Sequence, residues 1–195
     1  MSKTQEIKDK KSRLIIAITG ASGTIFGIKA LECLKDTDIE THLVMSKAGE
    51  RTLLEETDYS IKDVQALADV IYPSKDIGAA IASGSYRTMG MLIAPCSIKT
   101  MGEIATGITS SLVSRAADVV LKERRRLVLM VRETPLHTGH LRTMTSLSEM
   151  GAIIAPPVPG FYTKPQSVDD IVFQNVGRVL DLFDIDLPDL KRWKD

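Results

Sequence analysis

Short apolar runs alternate with longer segments of mixed polarity along the whole chain. The first run, residues 14–18, is almost continuously apolar and β-branched, which is typical of a strand buried on both faces. Small residues fill positions 19–23, and apolar side chains then recur at three- and four-residue steps from Thr24 onward. The pattern therefore predicts a strand, a tight turn and a helix at the start of the fold.

The same alternation continues to the C-terminal end. Further strands are predicted over residues 40–45, 69–72, 90–95, 126–131 and 152–155, and helices over residues 48–56, 60–68, 102–107, 111–123, 138–150 and 167–183. Strands and helices that alternate at this spacing predict a doubly wound parallel sheet. We expect one Rossmann-like, three-layer α/β/α flavoprotein-type domain over residues 13–195, preceded by a frayed lead over residues 1–12.

Composition narrows the function classes. The 195-residue chain has the size of one domain and a net charge of zero, with no long basic segment, which disfavours nucleic-acid binding. Hydrophobic residues make up 44%, yet no apolar run approaches the roughly 20 residues of a membrane span. The first residues are too charged for a signal peptide, and two cysteines suggest no disulfide framework. We expect a cytoplasmic protein without a membrane segment.

The first turn carries the earliest sign of a ligand. A small-residue turn between a strand and a helix presents free N–H groups and the helix dipole to an anion. Gly20, Gly23 and Gly27 do not fit the dinucleotide pattern G-x-G-x-x-G, because Ser22 stands where its second glycine would be. The second predicted strand is followed by Ser46 rather than by a ribose-binding acid. FMN is therefore favoured over NAD, and a turn without a ligand remains the alternative.

Polar side chains also follow the later strands. Ser97, Lys99 and Thr100 come after the strand at 90–95, and Arg132 and Glu133 after the strand at 126–131. The carboxyl ends of parallel strands lie at one edge of a sheet, so we expect these groups near Ser22 and Ser46. Simple helix capping by the hydroxyls and a structural Arg132–Glu133 ion pair remain open.

Three other features were weighed as candidate chemistry. Lys122 ends a predicted helix, where a cation favours the dipole, and would serve a function if it bends toward the strand ends. His137 and His140 are three residues apart, but without further ligands at matching spacing they do not predict a metal site. Cys96 has no evident basic partner in the sequence, so we expect a core residue rather than a nucleophile.

Several motifs in order resemble those of one family. They are Thr-Gly-Ala-Ser-Gly at 19–23, Thr-His-Leu-Val-Met-Ser at 41–46, Pro-Cys-Ser-Ile-Lys-Thr at 95–100, Arg-Ala-Ala-Asp-Val-Val-Leu-Lys-Glu-Arg-Arg at 115–125, Val-Arg-Glu-Thr-Pro-Leu-His at 131–137, Pro-Gly-Phe-Tyr at 159–162 and Pro-Gln-Ser-Val-Asp-Asp at 165–170. Each is modest alone, but their number and order are specific. From about residue 13 to residue 193, the chain resembles the UbiX family of flavin prenyltransferases.

The resemblance implies a reaction and its participants. Such enzymes join a dimethylallyl group from dimethylallyl monophosphate to N5 and C6 of reduced FMN. The product is prenylated FMN, which UbiD-type decarboxylases use. Family members are usually dodecamers, and the absence of an Asp-rich magnesium motif here is compatible with a reaction that needs no metal.

The resemblance also implies roles for individual residues. The FMN contacts would be Gly20, Ala21, Ser22, Ser46, Ser97, Ile98, Lys99, Thr100 and Arg132. The prenyl phosphate would be bound by Lys122, Tyr162 and Arg178. Glu133 and Ser22 would be nearest the proton transfers, and Tyr162 and Trp193 would offer π faces to an allylic cation.

Two other functions were considered beside this one. The first is a flavin-dependent decarboxylase of the same fold group that acts on peptidyl cysteine, but its Asn-rich motif is replaced here by residues 95–100. The second is a non-enzymatic carrier that delivers FMN to a partner decarboxylase. A carrier needs neither Glu133 nor phosphate-binding cations, so the enzyme is favoured. The sequence leaves open which decarboxylase is served and what reduces the FMN.

Overall fold

The structure, a computed structural model, describes residues 12–194. Its strands are β1 (Ser12–Ile18), β2 (Ile39–Met45), β3 (Val70–Tyr72), β4 (Gly90–Cys96), β5 (Arg126–Val131) and β6 (Ala152–Ile154). Its helices are α1 (Thr24–Leu34), α2 (Lys47–Glu56), α3 (Ile61–Gln65), α4 (Ile98–Ala105), α5 (Leu112–Lys122), α6 (Thr138–Glu149) and α7 (Val168–Leu180). The lead predicted over residues 1–12 lies outside the described residues, except that Ser12 begins β1.

The strands form one parallel sheet in the order β3-β2-β1-β4-β5-β6. This confirms the predicted doubly wound α/β fold, whose strand order reverses between β1 and β4. Successive strand residues point to opposite faces, and the two faces carry separate apolar cores. Ile16 packs in the core that α1 and α7 cover, and its neighbour Ile15 packs in the core that α4 and α5 cover.

Boundaries of three predicted helices were wrong, and the first of these, α3, ends at Gln65 rather than at residue 68. Helix α4 begins at Ile98 rather than at residue 102, because the Ser97 hydroxyl accepts the backbone N–H of Thr100 at 3.3 Å and starts the helix early. The last helix ends at Leu180 rather than at residue 183. A 3-10 turn, Asp181–Phe183, follows it and leads into Asp184, whose φ of 59° is left-handed.

The sheet has two edges that matter for function. The turns after β1, β4 and β5 lie at its carboxyl edge. At its amino edge, the Arg126 guanidinium bonds to Asp184 at 2.5 Å. A Cβ on Gly90 would lie 3.1 Å from the Phe183 ring, so the end of α7 packs against the first residues of β4 and β5. Strands of six or seven residues separate the two edges by roughly 20 Å.

Within residues 12–194, no helix combines the length and apolar character that a membrane crossing requires.

Candidate active site

The turn after β1 is closed by a carboxylate from a different helix. Gly23 has a left-handed φ of 96° and starts α1 without a side-chain cap of its own. Instead, Oε2 of Glu56, at the end of α2, accepts the backbone N–H of Gly23 at 2.8 Å and that of Thr24 at 3.4 Å. The turn also packs closely on α2, because a Cβ on Gly20 would lie 2.3 Å from the Cβ of Ala48.

Glu56 was missed by the sequence analysis. Burial works to raise the pKa of its carboxyl group, but hydrogen bonds from the Ser22 hydroxyl and from the Gly23 and Thr24 amides outweigh that effect and lower it. An ionised carboxylate therefore sits at the positive end of α1 and holds the hydroxyl of Ser22. The expected phosphate site at this helix terminus is corrected accordingly, since a protein side chain already uses its first donors.

The end of β4 is tied directly to the end of β1. The Thr19 hydroxyl donates to the carbonyl of Pro95 at 2.7 Å and accepts the N–H of Ser97 at 2.8 Å. Ser97 then caps α4. The first amides of a helix have no acceptor within it, so those of Ile98 and Lys99 are available to a ligand. The ammonium of Lys99 is already used, because it bonds to Glu103 at 2.6 Å.

Ser46 plays the same part on the other side of β1. Its hydroxyl accepts the N–H of Gly49 at 3.0 Å and caps α2, while its own N–H donates to the carbonyl of Ile18 at 3.0 Å. Ser46 and Ser97 are thus both helix caps, the alternative considered for polar residues after strands. They nevertheless lie at the same sheet edge as Ser22, with Gly20 and Ala21 in the adjoining turn and Thr100 in the first turn of α4.

Arg132, at the end of β5, has a buried side-chain nitrogen that lacks a hydrogen-bond partner within the described chain. The Arg132 N–H donates to the carbonyl of Cys96 at 3.1 Å, which fixes its backbone beside β4. Its side-chain Nε is buried, with no hydrogen-bond partner among residues 12–194. A buried N–H donor without an acceptor is costly, so this nitrogen calls for an acceptor such as a flavin or phosphate oxygen.

Glu133 is exposed beside Arg132. Its carboxylate accepts the N–H of Thr134 at 3.0 Å. In the described part of the chain it forms no ion pair with Arg132, so the structural pair considered above is not observed. A carboxylate that is not neutralised at the carboxyl edge remains able to exchange a proton with a bound ligand.

The histidines and Cys96 have structural roles. His137 accepts the N–H groups of Gly139 and His140 at 3.0 and 3.3 Å and so caps α6, and its ring stacks on His140 at 3.5 Å. Across the described residues, no cluster of three or more His, Cys, Asp or Glu side chains suits a metal ion. Cys96 is fully buried, and burial raises the pKa of its thiol to about 12, which confirms a core residue rather than a nucleophile.

Tyr162 and Arg178 meet beside the sheet's β6 edge. Both line a cavity of about 340 Å³ together with Gln174 and the apolar side chains of Pro156 and Val158. The hydroxyl of Tyr162 accepts a hydrogen bond from Gln174 at 3.2 Å. A tyrosine, a guanidinium group and apolar walls in one cavity suit a small phosphate ester with an apolar tail.

Trp193 and Asp181 do not line this cavity but contact two side chains that do, Tyr162 and Arg178. The Trp193 ring meets that of Tyr162 edge to face, with centroids 5.4 Å apart. Arg178 bonds to Asp181, which Arg192 also holds through both carboxylate oxygens, at 2.8 and 2.9 Å. Arg178 can therefore turn to a ligand without leaving Asp181 unpaired.

Lys122 lies apart from the other predicted phosphate ligands. Its ammonium bonds to Glu123 at 2.5 Å at the end of α5, just before β5 begins. Because α5 runs back against the strand direction, this end lies at the amino edge, so within one chain Lys122 does not bend toward the strand ends, the condition set for a functional role. Helix α5 also covers the opposite face of the sheet from α7, which carries Arg178. One chain thus holds Ser22, Lys122 and Arg178 in three separate places.

Comparisons with known proteins identify the family. The Flavoprotein family model matches residues 2–180. The flavin prenyltransferase UbiX of Escherichia coli K12 is 60% identical over 185 residues, which cover 93% of this chain and 98% of that protein. The chain belongs to the UbiX family of flavin prenyltransferases.

Solved structures from the UbiX family share the fold throughout. The crystal structure of AnUbiX (PadA1), in complex with FMN and dimethylallyl pyrophosphate, aligns with a TM-score of 0.94 at 50% identity and covers 95% of this chain and 99% of its own. A dodecameric FMN-dependent UbiX-like decarboxylase from Escherichia coli O157:H7 aligns with a TM-score of 0.92 at 50% identity, covering 94% and 100%. The resemblance inferred from the motifs is therefore confirmed.

Proposed function

We propose that this protein is a flavin prenyltransferase that joins the dimethylallyl group of dimethylallyl monophosphate to N5 and C6 of reduced FMN and releases inorganic phosphate. The observation that carries the proposal is the pairing of two unlike sites in one chain of this family. At the carboxyl edge the buried Nε of Arg132 has no partner within residues 12–194 and lies beside two helix starts, and the β6 side has a cavity with Tyr162 and Arg178. A carrier of FMN has no use for the second site.

The hydrogen-bond donors at the carboxyl edge suit the oxygen atoms of FMN. The proposed contacts are Gly20, Ala21, Ser22, Ser46, Ser97, Ile98, Lys99, Thr100 and Arg132. The starts of α2 and α4 offer backbone N–H groups, and Arg132 offers the unpaired Nε. Since Glu56 uses the first donors of α1, we place the phosphate of FMN at one of the other helix starts.

FMN should bind more tightly than NAD. The turn lacks the spacing of a dinucleotide site, and Ser46 follows β2 where an acid would hold the ribose hydroxyls. We expect FMN to saturate the protein in a fluorescence titration at concentrations where NAD leaves the signal unchanged. Ser22→Ala should lower turnover more than FMN affinity, because backbone amides remain. Tighter binding of NAD than of FMN would refute this assignment.

The prenyl phosphate would meet residues from more than one copy of the chain. Lys122 lies roughly 20 Å from the carboxyl edge, well beyond the reach of one lysine side chain. Tyr162, Arg178 and Trp193 lie near the surface on the β6 side, where the Phe161 and Val158 side chains are also largely exposed. We therefore propose a homo-oligomer, a dodecamer by analogy with the Escherichia coli relative, in which neighbours complete each site.

The residues of the proposed phosphate site suit departure of an anion. Lys122 and Arg178 neutralise the phosphate in the bound ester and as the bond to the allylic carbon breaks, and they act most strongly where water is excluded. The Tyr162 hydroxyl donates a hydrogen bond to the same group. The faces of Tyr162 and Trp193 stabilise positive charge on the dimethylallyl group. Glu133 and Ser22 handle protons on the flavin side.

The reaction should need no divalent metal. Lys122 and Arg178 supply the positive charge that a magnesium ion would otherwise supply to the leaving phosphate. We expect prenyl transfer at the wild-type rate in excess chelator, read as a mass gain of one C5H8 unit on the extracted flavin. Loss of the product in chelator, with recovery on adding one particular metal, would reverse this expectation.

We also propose that the product passes to a UbiD-type decarboxylase in the cytoplasm. Cys33 and Cys96 are both unpaired, which suits a reducing compartment. Relatives that are 50–60% identical to this chain favour neither the peptidyl-cysteine decarboxylase nor the FMN carrier. A decarboxylase that remains inactive until it receives the flavin made by this protein would support the assignment.

A further inference from the structure

Gln174 is a buried polar side chain that the proposed reaction has not used. It lies on α7 with only 7% of its surface exposed, among inward-facing apolar residues such as Val172 and Val176. A buried amide is costly unless its donors are paired. Both are paired here: Nε2 donates to the Tyr162 hydroxyl at 3.2 Å and to the backbone carbonyl of Lys191 at 2.9 Å.

The direction of these two bonds is determined by chemistry. A carbonyl oxygen only accepts, so the atom facing Lys191 is the amide nitrogen rather than the amide oxygen. That nitrogen only donates, so it also donates to Tyr162, whose oxygen must accept. The tyrosine's own proton is thereby left for another acceptor, and among residues 12–194 it has none. It is available to an anion in the cavity that Tyr162 shares with Arg178.

The same amide, together with the Arg192 ion pairs to Asp181 and Asp186, holds the C-terminal tail. Lys191 begins the segment that carries Trp193, and the Trp193 ring meets the Tyr162 ring edge to face. A second cavity, of about 300 Å³, lies between Tyr162 and the tail residues Lys191, Trp193 and Lys194. One side chain therefore sets the hydroxyl direction of Tyr162 and contributes to holding Trp193 near it.

We propose that Gln174 is a positioning residue for prenyl-phosphate binding: it directs the Tyr162 hydroxyl proton toward the phosphate group and anchors the tail that brings Trp193 to Tyr162. The inference rests on the proposed function, in which Tyr162 contacts the phosphate ester. It adds a residue from the wall of the same cavity that acts on the phosphate through another side chain, Tyr162.

The test combines two variants with a double-mutant cycle. Gln174→Met keeps the length of the side chain and suits a helix but removes both hydrogen bonds. We expect the KM for dimethylallyl monophosphate to rise about tenfold, in the range of one hydrogen bond to a charged group, with FMN affinity unchanged. In a Tyr162→Phe background the same change should raise KM less than about twofold, because the hydroxyl on which Gln174 acts is absent.

Gln174→Glu tests whether Gln174 acts by directing the Tyr162 hydroxyl proton or only by packing against the ring. It keeps the shape, but its carboxylate accepts the tyrosine proton and withdraws it from the ligand. We therefore expect a larger rise in KM than for Gln174→Met. Gln166→Leu is the control, since Gln166 donates a similar amide bond to the carbonyl of Lys164 at 2.8 Å at an exposed position. It should leave KM unchanged.

Fluorescence gives a readout that does not depend on activity. Trp193 is the only tryptophan of the chain. Release of the tail in Gln174→Met should raise its quenching by acrylamide, and Gln166→Leu should not. If the wild-type protein transfers the prenyl group, two results would overturn the inference. One is that the effects of Gln174→Met and Tyr162→Phe on KM are additive, and the other is that Gln174→Met changes neither KM nor quenching. If the wild-type protein shows no prenyl transfer, the proposed function is contradicted rather than this inference. Unchanged quenching of Trp193 in Gln174→Met would in that case still show that Gln174 does not anchor the tail.

Discussion

Two inactive variants should regain activity when their subunits assemble together. Ser22→Ala removes a hydroxyl at the carboxyl edge, and Lys122→Ala removes a cation at the amino edge. Each should lower turnover on the order of a hundredfold in a homogeneous oligomer. Because a single copy cannot bring the two groups together, an active site in a mixed oligomer needs its Ser22 from one copy and its Lys122 from another.

The expected recovery can be stated in advance. If copies mix at random in equal amounts, about a quarter of the sites combine a wild-type Ser22 with a neighbour's wild-type Lys122. The measurement is the rate of prenyl transfer by oligomers co-expressed with two tags and purified through both. Ser22→Ala mixed with Arg132→Ala is the matched control, because both residues lie at the carboxyl edge of the same copy and no site can contain both intact. Failure to recover in the first mixture, or recovery in the second, would contradict a shared site.

Glu133→Gln should bind both ligands and stall. The glutamine keeps the size of the side chain and can still accept the N–H of Thr134, so the loop after β5 should be preserved. It cannot exchange a proton, and loss of a general acid or base lowers rates by about 10² to 10⁴. We expect wild-type affinity for FMN and for dimethylallyl monophosphate, with turnover reduced within that range.

The structure of the flavin extracted from Glu133→Gln should show at which bond-forming step this variant stalls. Attachment at one position and closure at both give products of equal mass, so proton NMR is needed beside mass spectrometry. We expect a fraction of flavin that carries the prenyl group while its C6–H signal remains. Glu149→Gln, an exposed carboxylate change at the end of α6, is the control and should behave as wild type. Wild-type yield of the ring-closed product from Glu133→Gln would remove this role.

The carboxyl-edge half of the site could be predicted because it depends on topology. Apolar β-branched runs buried on both faces indicated a parallel sheet, and the ends of parallel strands meet at one edge. Ser22, Ser97 and Arg132 were therefore expected together before any coordinates. The start of α4 was misplaced because capping by Ser97 was only one of the alternatives for this segment, and the helix was predicted to begin four residues later.

Neither Glu56 nor the position of Lys122 could be found from the sequence. Glu56 lies 33 residues from Gly23, and only the packing of α2 against the first turn brings them together. No spacing signals that contact. The residue pattern singled out Lys122 as a candidate and the family resemblance gave it the phosphate, but its location follows from the direction of α5. A group whose partners lie on another copy leaves no pattern within one chain.

Gln174 illustrates a third kind of limit. On a helix with an apolar face, one glutamine at an inward position carries no recognisable motif, and its meaning depends on which atoms its amide meets. Only the pairing with Tyr162 and the Lys191 carbonyl shows that both protons are used. Buried polar side chains next to a candidate site therefore add information that motifs do not contain.

The flavin that wild-type protein makes tests the central claim most directly. The protein is incubated without oxygen with reduced FMN and dimethylallyl monophosphate, and the flavin is extracted, weighed and examined by proton NMR. We predict a mass increase of one C5H8 unit, loss of the C6–H signal and release of one inorganic phosphate for each flavin modified. Recovery of unmodified FMN and intact dimethylallyl monophosphate, from protein shown to bind both, would contradict the account.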